Sequence, residues 1–294
     1  RIVWPDPPCF PRITLQMTLT VTLVLLLSAV VHASWNAMVK ATGDRLVMLV
    51  GIFGTIGLLS WLAIPFLPPM TPGGWLWLGP AVVIHVAYKF GIIAMYRHGD
   101  LSLSYPVARG VAPVLVILLA MVLARERPTG GQLTGILVIC LGLLGFLGRQ
   151  ARGNAKALLA AALTGGLIAA YTVVDGLGVR ASHSMLSFAA WMFALDATAT
   201  VAIAALLRGR ALLPAWRAVL PRALPGGVIA ATAYLLVLWA LGQASMGAVS
   251  AVRESSVVFA ALIGTLFLGE PMGRQRILAA CVVLAGIVLL NAGF

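Results

Sequence analysis

Long apolar segments recur along the whole chain, and short stretches rich in Gly, Pro or Arg separate each segment from the next. A helix needs roughly 20 mostly apolar residues to cross the hydrocarbon core of a bilayer. The segments of about this length are residues 19–40, 46–66, 74–97, 104–124, 132–149, 155–178, 185–207, 226–242, 247–268 and 276–293. Strands of a membrane β-barrel would alternate apolar and polar residues, whereas TVTLVLLLSAVV and ILVICLGLLGFLG are continuously apolar. The pattern therefore predicts an all-α membrane protein with ten transmembrane helices.

The composition supports a membrane location and narrows the kinds of partner. Of the 294 residues, 61% are hydrophobic and 10% are charged, which is more apolar surface than one soluble core can bury. The formal net charge of +12 is explained by basic loops that face anionic lipid, so nucleic acid is not expected as a partner. Cys9, Cys140 and Cys281 show no CxxC or Cys/His spacing, so neither a metal nor a cofactor is expected.

The start of the chain differs from the rest. The first methionine is Met17, and RIVWPDPPCFPRITLQ precedes it without a long apolar segment. We interpret residues 1–16 as a non-native or disordered N-terminal extension and leave them out of the fold.

Two long segments of the chain repeat each other. Residues 102–126 align with residues 246–270 without a gap at an offset of 144, which places Arg109 on Arg253. The following helices align at an offset of 141, which places Cys140 on Cys281. We therefore expect two units of five helices each, in residues 17–150 and residues 151–294.

The two units are expected to have opposite orientations in the membrane. Each contains five spans, and because five is odd the second unit must enter the bilayer inverted relative to the first. Inverted repeats are common in secondary transporters, in which two halves exchange conformations and open a central site to alternate sides.

Several short motifs recur near the ends of the predicted spans. HASWNAMVK lies in the first span, GDLSLSYPVARG leads into the fourth, and YTVVDGLGVR lies in the sixth. Each half also carries a Glu near a helix boundary, in VLARE and FLGE, followed by a Gly-rich span. With these motifs the chain resembles the EamA-type members of the drug/metabolite transporter superfamily, and the resemblance covers residues 19–293. The fourth span ends in ARERP rather than the family's usual LGE-type ending, so no role for Glu126 follows from the resemblance.

The resemblance implies a basket-like bundle in the bacterial inner membrane that moves small metabolites by alternating access. Amino acids, with aromatic ones among them, are the expected substrate class, and membrane lipid is the other expected partner. Multidrug or nucleobase export on the same fold is the alternative. Coupling to protons and uniport both remain open.

An intramembrane lipid-modifying enzyme is the alternative from another class. Such enzymes concentrate catalytic residues at one interface, whereas this chain distributes single polar residues over many spans and has no HxxxH or GxSxG motif. No phosphate-binding loop is present, which excludes ATP-driven pumping within this chain. We therefore do not expect an enzyme.

Charged residues inside the predicted spans are the first candidates for function. Their formal charges sum to zero, and they are Lys89, Arg109, Arg253, Asp175, Asp196 and Glu254. Intramembrane charges are costly unless they are paired or reach water. The sequence therefore predicts that they compensate one another inside the bundle.

The ninth span holds two of these charges as neighbours. Helical spacing with Ser250 and Val257 places Arg253 and Glu254 on one side of the helix. Arg253 could hold a substrate carboxylate and Glu254 a proton or a substrate amine. The alternatives are a structural ion pair, or an arginine that extends to the lipid head groups.

Arg109 is the repeat partner of Arg253, and Tyr105 precedes it by one turn. Equivalent residues of inverted repeats lie at similar depths from opposite membrane faces, so we expect the two arginines near two gates. The residues predicted for gating or coupling are Tyr105, Arg109, Asp175, Asp196, Arg253 and Glu254.

The third span presents a polar stripe that contains His85, Lys89 and Tyr96. An intramembrane lysine costs about 2.5–3.5 kcal/mol on insertion scales unless a partner relieves it. Asp175, one turn after Tyr171, is the first candidate for that partner and for proton binding. Asp196 lies mid-span, where a carboxyl group suits proton coupling or a structural hydrogen bond.

Further candidates complete a predicted substrate cavity. The first span presents His32, Trp35 and Asn36 on one side, although a lone His is more often a packing residue than a titrating one. Aromatic side chains give a cavity an apolar wall with polar tips. The predicted substrate-binding residues are His32, Trp35, Asn36, His85, Tyr88, Lys89, Tyr96, Tyr171, Asp175, Trp191, Tyr234, Trp239 and Glu254.

Overall fold

The computed structural model describes residues 17–40, 44–98, 101–145, 155–268 and 273–291. These residues form α-helices and short 3-10 turns, with no β-strand among them, so the all-α prediction is confirmed. The helices are α1 (Leu19–Lys40), α2 (Arg45–Ala63), α3 (Pro72–His98), α4 (Leu101–Leu123), α5 (Gly130–Leu144), α6 (Ala155–Ser182), α7 (Met185–Arg208), α8 (Leu212–Gln243), α9 (Met246–Arg253), α10 (Ser256–Leu268) and α11 (Arg274–Asn291). Residues 1–16 lie outside the described part of the chain.

Spans one to seven and span ten of the prediction coincide with single helices to within a few residues. The predicted span 226–242 also corresponds to one helix, but that helix starts much earlier. The sequence predicts that it begins at residue 226, whereas α8 begins at Leu212 and contains Pro221 and Pro225. A proline lacks a backbone N–H and usually ends a helix. Prolines are nevertheless tolerated in membrane helices, where neighbouring groups satisfy the freed carbonyls. The proline pair therefore does not mark a boundary here.

The ninth predicted span is two helices rather than one. α9 ends at Arg253 and α10 begins at Ser256. At this break the N–H of Val257 donates to the carbonyl of Glu254 at 3.1 Å, and the N–H of Val258 donates to that of Ser255 at 2.9 Å. Bonds between residues three apart form a tighter turn than the α-helix. The charged pair thus stands at an interruption of the helix.

Apolar helices long enough to cross a membrane are present throughout the described residues. Six stretches meet the length and hydropathy required, and they are Leu19–Asn36, Leu46–Phe66, Pro72–Ile92, Ala155–Ser182, Met185–Gln243 and Met246–Ile263. Three shorter apolar helices cover Val107–Leu123, Gly130–Leu144 and Ile277–Asn291. Large apolar side chains such as Leu206, 86% exposed, and Val122, 75% exposed, point outward. A lipid environment would cover this surface.

The helices pack in a pattern that brings α1, α3, α4, α6, α8 and α9 around the middle of the bundle. α3 and α4 both pack against α6, α2 packs against α7 and α8, and α1 packs against α8 and α10.

α5 and α11 approach each other closely at glycine residues. A Cβ atom added at Gly142 would lie 2.9 Å from the backbone nitrogen of Val283. Such close backbone contact is typical of helices that associate in membranes.

Candidate functional site

The six predicted intramembrane charges lie inside the helix bundle. Lys89 is half-buried, and the other five residues are 5% exposed or less. The bundle therefore places these charges in its interior, as expected, and does not turn them toward lipid. Burial also contradicts the alternative that Arg253 extends to the lipid head groups.

Arg109 and Glu254 form a buried salt bridge between α4 and the break after α9. Nη1 of Arg109 lies 3.1 Å from Oε1 and 3.2 Å from Oε2 of Glu254. The side chains are 3% and 1% exposed. Glu254 therefore forms its salt bridge with Arg109 of α4, and the described residues show no salt bridge between the neighbours Arg253 and Glu254, which was the alternative interpretation of this pair. A substrate amine at Glu254 would have to compete with Arg109.

His32 in α1 completes this part of the site. Its Nε2 lies 3.0 Å from Nη2 of Arg109, and its Nδ1 lies 3.3 Å from the indole nitrogen of Trp35. Guanidinium and indole groups only donate, and a neutral imidazole accepts at one nitrogen only. His32 therefore accepts from Arg109 in one tautomer and from Trp35 in the other, and the first of these tautomers positions the guanidinium of Arg109. Asn36 donates to the carbonyl of His32 at 2.8 Å.

Lys89 forms its salt bridge with Asp196, not with Asp175. The ammonium lies 2.5 Å and 2.6 Å from the two carboxylate oxygens of Asp196 and 4.3 Å from the ring centroid of Phe53. The prediction that Lys89 pairs with an intramembrane acid is confirmed, whereas the choice of Asp175 is wrong. α3 contacts both α6 and α7, and His85, one turn before Lys89, occupies the acid on α6.

Asp175 receives two contacts at one carboxylate oxygen, and the described part of the chain offers none to the other. Nε2 of His85 lies 2.8 Å from Oδ2, and the hydroxyl of Tyr234 donates to the same atom. Among the described residues Oδ1 has no hydrogen-bond partner, although Asp175 is fully buried. A buried carboxylate oxygen without a partner is unfavourable. This atom is therefore available to a proton or to a donor on a ligand.

Arg253 lies against aromatic rings rather than against a carboxylate. Its guanidinium carbon is 5.8 Å from the ring centroid of Tyr171 and 5.3 Å from that of Tyr234. The described residues offer it neither a salt bridge nor a hydrogen bond. Cation–π contacts stabilise a desolvated arginine but leave its hydrogen-bond donors unused. Arg253 is therefore able to bind an anion.

Aromatic rings form the wall between these two groups. His85 stacks on Tyr171 at 4.5 Å, Tyr88 meets Tyr171 at 5.2 Å, and Phe193 meets Tyr234 at 5.9 Å between ring centroids. The predicted residues Tyr171, Tyr88 and Tyr234 are thus brought together. Phe53 and Phe193 also belong to this group and were missed, because an apolar ring in an apolar span carries no sequence signal.

Other predicted residues lie elsewhere or have undescribed side chains. Trp191 meets the rings of Trp61 and Trp75 at 5.7 Å and 5.0 Å. Trp239 is partly buried and packs against the main hydrophobic core. The side chains of Tyr96 and Tyr105, in α3 and α4, lie outside what the structure describes.

A second polar cluster, which the sequence pattern did not predict, joins three helix ends. Arg180, near the end of α6, lies 2.8 Å from Oε1 of Glu126 and donates to the carbonyls of Leu241 and Ala244 at 3.0 Å and 2.8 Å. Glu126 also accepts from the N–H of Met246 at 3.0 Å. An acidic group at a helix N-terminus is favourable. Glu126 thus links the end of α4 to the start of α9.

Comparisons with known proteins agree with this architecture. The EamA-like transporter family matches residues 155–292, which contain α6 to α11. A solved crystal structure, described only as that of a protein, matches with a TM-score of 0.71 and 17% identity, over 93% of this chain and 98% of that chain. At this identity the likeness shows the fold alone. No curated protein matches the chain. Residues 155–292 of the chain therefore belong to the EamA-like transporter family of the drug/metabolite transporter superfamily, a family of multi-pass membrane proteins.

Proposed function

We propose that this protein is a secondary transporter that moves amino acids, with aromatic ones among them, across the bacterial inner membrane by alternating access. The observation that supports this most directly is that Arg253 and Asp175 both contact one residue, Tyr234. Oδ1 of Asp175 has no hydrogen-bond partner among the described residues. An amino acid carries a carboxylate and an ammonium on one carbon. It would therefore supply an anion to Arg253 and a donor to Asp175 at once.

The charges of the site favour a zwitterion over a simple cation or anion. Lys89 with Asp196 and Arg109 with Glu254 are neutral pairs. The remaining formal charges, on Arg253 and Asp175, are opposite, and the two groups form no salt bridge with each other. A net-neutral ligand with separated charges leaves this balance unchanged, whereas a singly charged drug adds an uncompensated charge.

We further propose ten membrane spans in two inverted units, residues 17–150 and residues 151–294, with α9 and α10 together forming the ninth span. α4 covers residues 101–123, and a shift of 144 carries it to 245–267, the region of α9 and α10. Helix contacts also recur in pairs: α3 packs against α6 as α8 packs against α1, and α4 packs against α6 as α10 packs against α1. The family match begins at residue 155, near the start of the second unit.

Alternating access would act on the contacts between the two units. Four salt bridges found among the described residues each join one unit to the other, and they connect Asp44 with Arg208, Lys89 with Asp196, Arg109 with Glu254, and Glu126 with Arg180. The contact between His85 and Asp175 also joins the two units. A rocking motion of one unit against the other must exchange some of these contacts. Proton binding at Asp175 would couple such a motion to a pH gradient, and uniport is the alternative.

Reconstitution into liposomes tests the proposal. Purified protein is given amino acids, nucleobases and cationic drugs, with and without a pH gradient, and saturable flux and mutual competition are measured. We expect saturable amino acid flux that R253Q abolishes, while R208Q retains it because Arg208 is 41% exposed at the edge of the bundle.

Two other results would contradict the proposal. Saturable flux of nucleobases or cationic drugs that amino acids do not inhibit would favour the multidrug or nucleobase exporter. Absence of saturable flux for every class would return the intramembrane lipid-modifying enzyme to consideration, and turnover of labelled lipid would then be measured.

A further inference from the structure

Two serine hydroxyls at the break between α9 and α10 have no hydrogen-bond partner among the residues that the structure describes. Oγ of Ser255 and Oγ of Ser256 are both buried and unpartnered among the described residues. The residues are 0% and 1% exposed. A buried hydroxyl without a partner costs free energy. Such a group in a native site calls for a specific explanation, and an absent ligand is one.

These two serines differ from hydroxyl residues elsewhere in the helices. Thr55, Thr172 and Thr198 each donate to the carbonyl four residues earlier, at 2.9 Å, 2.7 Å and 2.7 Å. That local bond satisfies a hydroxyl in an apolar surrounding. At the break the helix is interrupted, and Ser255 and Ser256 lack it. Their hydroxyls remain free to donate to another group.

Most backbone donors at the break are already engaged. The N–H groups of Ser255, Val257 and Val258 donate to the carbonyls of residues 252, 254 and 255 at 3.0 Å, 3.1 Å and 2.9 Å. The side chains are therefore the main donors available to another group. Ser256 follows Arg253 by three positions, which places these two side chains on one side of a tight turn, and Ser255 is the neighbour of Ser256 in the same turn.

The charge at the break also favours an anion. Glu254 is the acid closest to Arg253 in sequence, and both of its carboxylate oxygens already face Arg109. Within the part of the chain that the structure describes, Arg253 forms no salt bridge with a carboxylate. A carboxylate only accepts hydrogen bonds, while serine hydroxyls and a guanidinium donate them.

We propose that the break between α9 and α10 is a carboxylate subsite, formed by the hydroxyls of Ser255 and Ser256 and the guanidinium of Arg253. This inference rests on the proposed function, because the carboxylate belongs to the transported amino acid. The ammonium of the same molecule then binds Oδ1 of Asp175. The subsite selects molecules that carry a free α-carboxylate over their amides.

Binding to purified protein in detergent tests the subsite. The probes are L-phenylalanine and L-phenylalaninamide, which differ in whether the carboxylate is free, and the dissociation constant of each is measured by calorimetric titration. Hydrogen bonds to charged groups change affinity by about tenfold or more. We expect wild type to prefer L-phenylalanine by at least about tenfold, and S255A/S256A to lose most of this preference.

The matched control is T55V, which removes a buried hydroxyl outside the subsite. Thr55 donates within its own helix α2, so its replacement should leave the preference unchanged. Equal loss of preference in T55V would show a general effect on folding and would overturn the assignment. S255T/S256T keeps both hydroxyls, and we expect it to retain more of the preference than S255A/S256A.

Flux measurements separate this inference from the proposed function. If wild-type liposomes transport L-phenylalanine saturably while S255A/S256A binds with wild-type preference, the transporter stands and the carboxylate subsite is wrong. If the serines determine the preference in detergent while liposomes show no flux, the subsite stands and transport of amino acids is wrong. If wild type does not distinguish the acid from its amide, the subsite is wrong.

Discussion

The salt bridge between Lys89 and Asp196 offers a quantitative test of how charges are held inside this bundle. The ammonium contacts both carboxylate oxygens, at 2.5 Å and 2.6 Å, and the side chains are 16% and 7% exposed. K89M leaves the carboxylate of Asp196 without its partner, and D196N leaves the ammonium of Lys89 without its partner. The double variant K89M/D196N removes both charges.

The expected magnitudes follow from burial. Removing one partner of a buried pair costs about 3–5 kcal/mol, because the other charge stays buried and uncompensated. Because the side chain of Lys89 is partly exposed, water can solvate the charge that is left unpaired. We therefore expect each single variant to lower the free energy of unfolding by about 3 kcal/mol, the lower end of this range. Replacing both partners is often nearly neutral. The double variant should therefore be within about 1 kcal/mol of wild type, with a coupling free energy above about 2 kcal/mol.

The assay is reversible unfolding in mixed micelles, followed by tryptophan fluorescence and far-ultraviolet circular dichroism. The free energy of unfolding is compared in a double-mutant cycle for the four proteins. The exposed pair of Arg208 and Asp44, with side chains 41% and 42% exposed, is the control. Its coupling should be below about 1 kcal/mol. Additive effects of K89M and D196N would refute the reasoning, since they would show that the two charges do not compensate each other.

Three further predictions follow from the same contacts. D175N should abolish stimulation of flux by a pH gradient, because the amide cannot take up a proton at this position. Exchange at equal pH should persist at a raised KM, because the amide oxygen still accepts from the substrate ammonium but no longer carries a charge. Unchanged stimulation in the liposome assay would contradict this. R180Q should lower the free energy of unfolding by about 2–4 kcal/mol, because it leaves Glu126 buried without its partner, and an effect below about 0.5 kcal/mol would be inconsistent with that contact. G142A should lower the free energy of unfolding by about 1–3 kcal/mol, because the added Cβ pushes α5 away from α11. G79A is the control and should not destabilise the protein, because its Cβ would meet nothing within 4 Å. Equal effects of the two variants in the micelle assay would contradict the close packing of α5 and α11.

The length of each apolar run was enough to predict most of the helices. α1 begins and ends at the predicted residues, and α7 is longer than predicted by one residue. A backbone in lipid must satisfy its own hydrogen bonds, so a long apolar run has few alternatives to a helix. The start of α8 and the break between α9 and α10 were not predicted, because neighbouring helices decide whether a proline or a charged pair interrupts a helix.

The zero sum of the intramembrane charges predicted that they would be compensated, and their burial within the bundle agrees with this. Sequence spacing could not select the partners. Lys89 takes Asp196 because α3 also contacts α7 and His85 already occupies Asp175. Glu254 faces Arg109, and its neighbour Arg253 has no carboxylate partner within the described ranges.

The sequence by itself thus determined that the chain is helical, that it belongs in a membrane, and which residue types lie in its interior. Those properties depend on local apolar length and on the cost of burying charge, both of which can be read from neighbouring residues. The tertiary structure decided which charges are paired and which groups remain available to a ligand. That outcome depends on contacts between residues far apart in sequence, and only the packing of the helices sets those distances.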